Sequence, residues 1–284
     1  MIKRLSTSIL IVTIIMIFFA TPVLAVEAGE KRVTLGADLS NEQIDGIYAD
    51  FGIIRGDVEE LYVTNAEERK YLKGLVSEET IGHNALSSIY IVTLDEGAGI
   101  SVSTYNINWC SKEMYTNALE TAGITDAKII VSAPFNVSGT AALTGVYKAY
   151  SDITGEPLDE MAKAAATEEL IVTGELAEVI GSDDATKLIN ELKKILDQTR
   201  EMTDEELKTE ILYIADYQNL ILTDDNVSQI MKLCRTLEKL DIDGWRNNLL
   251  NFGSKMQVAQ NVSDGVSDFF TTVKDFFASF GDLF

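Results

Sequence analysis

This chain is poor in the residues that carry most metal and redox chemistry. His83 is its only histidine, Cys110 and Cys234 its only cysteines, and there are three prolines in 284 residues. One histidine excludes the H-E-x-x-H zinc site, and no C-x-x-C pair is present, so no set suited to zinc or a redox metal can be assembled from local spacing. Two cysteines are too few for a disulfide-stapled scaffold. Cys234 falls on an apolar helix face, which favours a buried free thiol; a single Cys110–Cys234 bridge between domains is the alternative in an exported chain. Cations are also scarce: 23 Lys and Arg stand against 45 Asp and Glu, for a net charge of −22. Such a field repels nucleic acid and anionic lipid, which argues against a phosphate-backbone binder. Few prolines with 46% hydrophobic residues describe a globular chain, not a disordered one.

Long apolar runs are missing too, except at the start. Lys3 and Arg4 precede an apolar run at 9–19, and Val23-Leu24-Ala25 after Pro22 fits the small-residue cleavage rule. Residues 1–25 therefore read as a signal peptide, cleaved near Ala25. An uncleaved anchor is the alternative, but the run is short of the roughly 20 residues a span requires. The expected location is secreted or extracytoplasmic, with no membrane contact beyond the leader. What remains has room for two domains on the prior of about 100–200 residues each.

Residues 26–155 carry the first, an α/β domain. A short strand at 32–36 is followed by a capping box, Ser40 with Gln43, that opens a helix bearing Ile44, Ile47, Tyr48 and Phe51; Gly52 closes it. Leu61 and Val63 alternate as a strand, and Asn65 with Glu68 reads as a second capping box. Residues 89–94 form a nearly continuous apolar run, as in a strand buried on both faces. After a loop with Gly97 and Gly99, residues 100–104 alternate strictly, which predicts a hairpin with the preceding strand. Ser111 caps a helix carrying Met114, Tyr115, Ala118, Leu119 and Ala122, and a strand returns at 128–133, making a βαβ unit. A tight turn over 134–140 then enters a helix bearing Ala141, Ala142, Leu143, Val146 and Tyr147. Gly145 within it costs about 1 kcal/mol relative to alanine, so the spacing predicts close approach of this helix to the sheet.

Three segments carry a resemblance. Val33-Thr34-Leu35-Gly36-Ala37-Asp38-Leu39-Ser40, then Tyr115-Thr116-Asn117-Ala118-Leu119 with Thr121-Ala122-Gly123-Ile124, and Val137-Ser138-Gly139-Thr140-Ala141-Ala142-Leu143-Thr144-Gly145 resemble the YpuA-like family. These are exported proteins of Gram-positive bacteria, classed as a domain of unknown function. The resemblance implies export and association with the envelope. It brings no activity and no catalytic residues.

Residues 156–250 read as a helical bundle. Pro157 suits a helix N1 position, and 157–180 is helical with a break predicted near Thr173-Gly174. Ser182 opens the next helix. Thr203 with Glu206 makes another capping box, and Thr223 caps a helix whose Val227, Ile230, Cys234 and Leu237 form a buried seam. Short loops argue for antiparallel packing. Residues 251–284 predict an amphipathic helix with Phe269, Phe270, Phe276, Phe277 and Phe280 on one stripe. It can dock on its own bundle, self-associate or meet a protein partner. Lys274 alone on the polar face is poor equipment for a membrane surface. The fold class is thus α+β: a small mixed sheet with a βαβ unit packed by helices, followed by an antiparallel α-helical domain.

No catalytic, cofactor or metal residues are assigned. His83 near Ser87 and Ser88 lacks a G-x-S-x-G elbow, and a polar loop residue is the plainer reading. Acidic loops at 152–156 and 241–244 miss the calcium-loop spacing. The Ser138-Gly139-Thr140 turn at a helix start can hold a small anion through backbone N–H groups, although it has no P-loop lysine. Candidate interaction residues are therefore Asn136, Ser138, Gly139 and Thr140, the exposed face of 101–105, and the tail phenylalanines. The expected function is non-enzymatic binding of a protein or cell-wall component outside the membrane. The alternative is an extracytoplasmic hydrolase of wall polymer that uses paired carboxylates.

Overall fold

The computed structural model describes residues 27–75 and 81–240. The segment 1–25 expected to be a signal peptide and the phenylalanine-rich tail, including Phe269, Phe270, Phe276, Phe277 and Phe280, lie outside the described residues. A five-stranded mixed sheet is built from β1 (Lys31–Gly36), β2 (Glu60–Val63), β3 (Ser88–Thr93), β4 (Ile100–Ile107) and β5 (Ala127–Val137), in the order β2-β1-β3-β5-β4. β1 runs parallel to β2 and antiparallel to β3, while β5 is antiparallel to β3 and parallel to β4.

The hairpin expected between β3 and β4 does not form. β5 lies between them, with Ile129 opposite Ile91 on one side and Val102 on the other. The alternation in β4 reflects an edge strand with one solvated face, and that pattern is the same whichever neighbour it pairs with. The long apolar β5 takes the inner position instead. Asp126 holds the β3–β4 loop to the start of β5 by accepting from Gly99 N–H at 2.8 Å. The βαβ unit does form, as β4, α3 (Lys112–Thr121) and the parallel β5.

Helices cover both faces. α1 (Asn41–Phe51), opened by the Ser40–Gln43 box, sets Ile44, Ile47, Tyr48 and Phe51 on Val33, Leu35 and Tyr90. On the other face, α3 and α4 (Thr140–Thr154) bury Met114, Leu119, Leu143 and Val146 against Ile89, Ile91, Ile129 and Val131. α4 lies close on β1, and Thr34 Oγ1 donates to the Gly145 carbonyl at 3.1 Å. The second capping box is one residue earlier than expected: Thr64 and Glu67 cap α2 (Asn65–Leu72), which releases Glu68 to face inward.

The remaining helices are α5 (Glu160–Ile180), α6 (Ser182–Lys194), the single turn α7 (Leu196–Thr199), α8 (Asp204–Tyr217) and α9 (Asp224–Leu237). Asp159, not a proline-led turn at Pro157, caps α5, and Gly181 rather than Ser182 is the N-cap of α6. The break expected near Thr173-Gly174 is absent. α5 runs through it, and Gly174 lies flat against Trp109, whose indole atoms would stand 2.2–2.7 Å from an added Cβ. α5 belongs to two cores: Ala166 and Leu170 join the sheet core, and Ala165, Val172 and Leu176 join the helical core with Leu188, Leu192, Leu207, Ile211, Ile230 and Leu237. Cys110 lies in the first core and Cys234 in the second; both are free and buried, without a bridge. Among the described residues no helix is long and apolar enough to cross a membrane.

Candidate functional site

β5 leaves the sheet at Val137 and turns into α4 through Ser138 and Gly139. Gly139 is the N-cap in the left-handed region, φ +94°, and an added Cβ there would meet Tyr115 Oη at 2.4 Å and Ile107 Cγ2 at 2.6 Å. Only glycine fits, on both counts. The turn is pinned from outside: Tyr115 donates its hydroxyl proton to the Gly139 carbonyl at 2.6 Å, and Cys110 N–H donates to Ser138 O at 3.1 Å.

No side chain caps α4. Ala142 N–H bonds back to Gly139 O at 3.0 Å, but the N–H groups of Thr140 and Ala141 have no partner among the described residues. Both residues are buried. The Thr140 hydroxyl donates to Glu68 Oε1 at 2.8 Å. Glu68 comes from α2, is 1% exposed, and is otherwise approached by Asn65 Nδ2 at 3.4 Å. Burial pushes its carboxyl up to about 7, against the opposing hydrogen bonds from Thr140 and Asn65 and the charge of Arg69. The Arg69 guanidinium is directed to Asn65 Oδ1 and Gly82 O.

Glu68, the loop 82–87 and the turn 137–141 line a half-open cavity of about 370 Å3, within the usual range of small-molecule pockets of roughly 300–1,000 Å3. Ser87 lines it, 3% exposed, and its hydroxyl has no hydrogen-bond partner among the described residues. His83 lines its exposed side.

Of the residues singled out from sequence, Ser138, Gly139 and Thr140 are at this cavity; Asn136 is exposed and outside its lining. His83 and Ser87 share the cavity, yet Ser87 makes no hydrogen bond to the imidazole, so no Ser–His pair exists. Ser88 is directed elsewhere, accepting from Gly36 N–H at 3.1 Å. Glu68 was not foreseen. The signal for it was present in the Thr64–Glu67 alternative to the capping box.

Glu68 is the one carboxylate among the cavity's lining residues, whereas glycoside hydrolysis uses two flanking the scissile bond. Burial pushes both thiols, Cys110 and Cys234, up to about 12, which keeps them protonated and inert. Among the described residues no cluster of three or more His, Cys, Asp or Glu could hold a metal ion.

A second buried polar cluster joins α3, α5 and α6. Lys193 Nζ lies 2.6 Å from Glu169 and donates to Thr121 Oγ1 and Asn117 O. Glu120 beside it is pushed up to about 7 by burial, with Lys193 opposing and Glu169 adding to the rise. It lies away from the cavity and ties helices together.

Residues 35–251 match the model of a family described as protein of unknown function, DUF1002. The chain is similar to the uncharacterized protein YpuA of Bacillus subtilis (strain 168), 36% identical over 253 residues that cover 88% of this chain and 87% of that protein. No solved structure matches.

Proposed function

The chain belongs to the DUF1002 family of proteins of unknown function, and we propose that it is an exported binding protein that takes a small polar part of its ligand into the cavity at the start of α4. The reading places the protein outside the membrane after cleavage near Ala25, with a cell-wall component or an envelope protein as partner. One observation carries it. The N–H groups of Thr140 and Ala141 and the hydroxyl of Ser87 have no hydrogen-bond partner among the described residues, and all three residues are buried and line the cavity. Unpaired donors grouped on one wall can give a polar ligand group several hydrogen bonds at once, each contributing about 0.5–1.5 kcal/mol. A wall hydrolase is less well supported, because Glu68 is the one carboxylate among the described residues that line the cavity.

The test uses the leaderless chain from Val26. Calorimetric titration with soluble cell-wall fragments should give saturable binding, lost when Ser87→Trp fills the cavity. A dye-release assay on insoluble wall should show no cleavage. Steady release of fragments, abolished by Glu68→Gln, would replace this reading with the hydrolase.

The tail enters as a second contact, its phenylalanines serving self-association or a protein partner. Ending the chain after Gly253 should then lower the sedimentation coefficient of any oligomer and leave the melting temperature unchanged. A large fall in melting temperature would make the tail part of the core.

A further inference from the structure

We propose that the cavity is an oxyanion site, holding a carboxylate or phosphate group of the ligand against the first turn of α4. The proposal rests on the binding reading above and narrows it to one chemistry.

The donors are aligned for it. α4 is a 15-residue helix whose N-terminus opens on the cavity with no side-chain cap, and a helix start carries about half a positive charge on its free N–H groups. Ser87 is the independent observation. It comes from the loop before β3, not from α4; the residue is 3% exposed, lines the same space, and its hydroxyl has no hydrogen-bond partner among the described residues. Ser138, 3.4 Å from Thr140 Oγ1 through its own hydroxyl, adds a rotatable donor.

Acceptors are few by comparison, since one oxygen of Glu68 is already engaged by Thr140. A cation would meet the positive helix end and Arg69 behind Glu68. A neutral hydroxyl would satisfy one or two of the donors and leave the rest unpaired.

Glu68 is the apparent obstacle. The groups that face it are Asn65 and Arg69 from α2, Thr140 from α4, and the buried Cys110 and Tyr115, while His83 lines the far side. Burial raises Glu68 to about 7, so as the pH falls through that value it takes up a proton, presents no charge to an anion and can itself donate. Binding should therefore tighten as the solution is made more acid.

Backbone amide spectra of the leaderless, 15N-labelled chain decide the matter. The probes are inorganic phosphate, an acetylated dipeptide with a free carboxylate, the same dipeptide as its amide, and a neutral N-acetylated amino sugar. Phosphate or the free-acid peptide should shift the Thr140 and Ala141 amide resonances saturably, and the tighter of the two identifies the source of the oxyanion. The peptide amide should not shift them. Glu68→Gln should tighten the active probe by about tenfold or more at about pH 8, where the carboxylate charge is removed, and change little at about pH 5.5. Ser87→Ala should weaken it severalfold with an unchanged melting temperature. If the amide or the sugar binds as well as the acids, or Glu68→Gln abolishes binding, the oxyanion proposal falls and the binding reading stands. If none of the probes shifts these amides while wall fragments still bind, the site is misassigned. If nothing binds at all, both fall.

Discussion

Glu68 shows how much depends on one residue of register. Thr64-x-x-Glu67 and Asn65-x-x-Glu68 both satisfy the capping-box pattern, and sequence alone does not choose between them. The choice is made by Thr64, which holds the extended cap conformation and accepts from Glu67 N–H, while Asn65 turns to Arg69 and Glu68. That single shift moves a carboxylate from a solvated cap to a buried wall. The consequence is a pH dependence of stability. With the folded-state value raised from 4.5 to about 7, the native chain binds more protons than the unfolded one between those limits, so this group's contribution is best below 4.5 and deteriorates as pH rises through 7. Over that window the loss approaches about 3 kcal/mol. Glu120 adds a loss of the same sign, moderated by Lys193. Glu60, Glu67, Glu160 and Glu206 are lowered instead, and their contribution disappears only as pH falls through their depressed values. Urea melts should thus show Glu68→Gln stabilising the protein at about pH 8 and nearly neutral at about pH 4. Equal effects at both would mean that Glu68 is not a buried acid.

At the scale of elements, glycines separate what was legible from what was not. Gly145 was read as forced by close approach, and the helix does lie on the sheet. Yet an added Cβ would meet Ile89 Cγ1 at 3.4 Å and Thr34 Cβ at 3.5 Å, which is ordinary contact. Gly145→Ala should be tolerated and should raise stability by roughly 0.5–1 kcal/mol through helix propensity, measured by thermal or chemical melting; a loss of more than that would show that the contact is already full. Gly174 was read as a helix break and is instead a seat for Trp109, whose Nε1–H also donates to Glu178 at 2.7 Å. Gly174→Ala, despite its better propensity, should destabilise by about 1–3 kcal/mol by overpacking. Trp109→Leu added to it should recover part of the loss, and strict additivity of the two would contradict the contact. Most helix positions, the caps at Ser40, Thr203 and Thr223, and the βαβ unit are readable because they are set by residues within one or two turns, whereas the caps of α2, α5 and α6 fall one to three residues from where the sequence puts them. The β3–β5 pairing is not readable, because it is decided by which strand can bury both faces, a property of the whole sheet.

At the scale of the molecule, the boundary near residue 155 falls at the end of α4, the helix that lies on the sheet, while packing continues across it. α5 contributes Ala166 and Leu170 to the sheet core and Val172 and Leu176 to the helical one. Between these cores lies the buried pair Lys193–Glu169, both side chains 1% exposed, with Thr121 donating to the second oxygen of Glu169 at 2.5 Å and Asn117 bonded to Asn190 at 2.7 Å. Its members come from α3, α5 and α6, so they can be satisfied together only when the helical part is seated on the sheet part. A buried pair contributes little net stability over an apolar substitute, but removing one partner strands a charge and costs about 3–5 kcal/mol. Lys193→Met should therefore destabilise by about that amount, and Lys193→Met with Glu169→Gln should recover much of it. The same contacts predict that both parts unfold in one transition. Calorimetry of the chain from Val26 should give a single endotherm, and Lys193→Met should lower it and divide it into a sheet-part and a helix-part transition. Two resolved transitions in the unaltered chain would mean that the shared helix does not couple them.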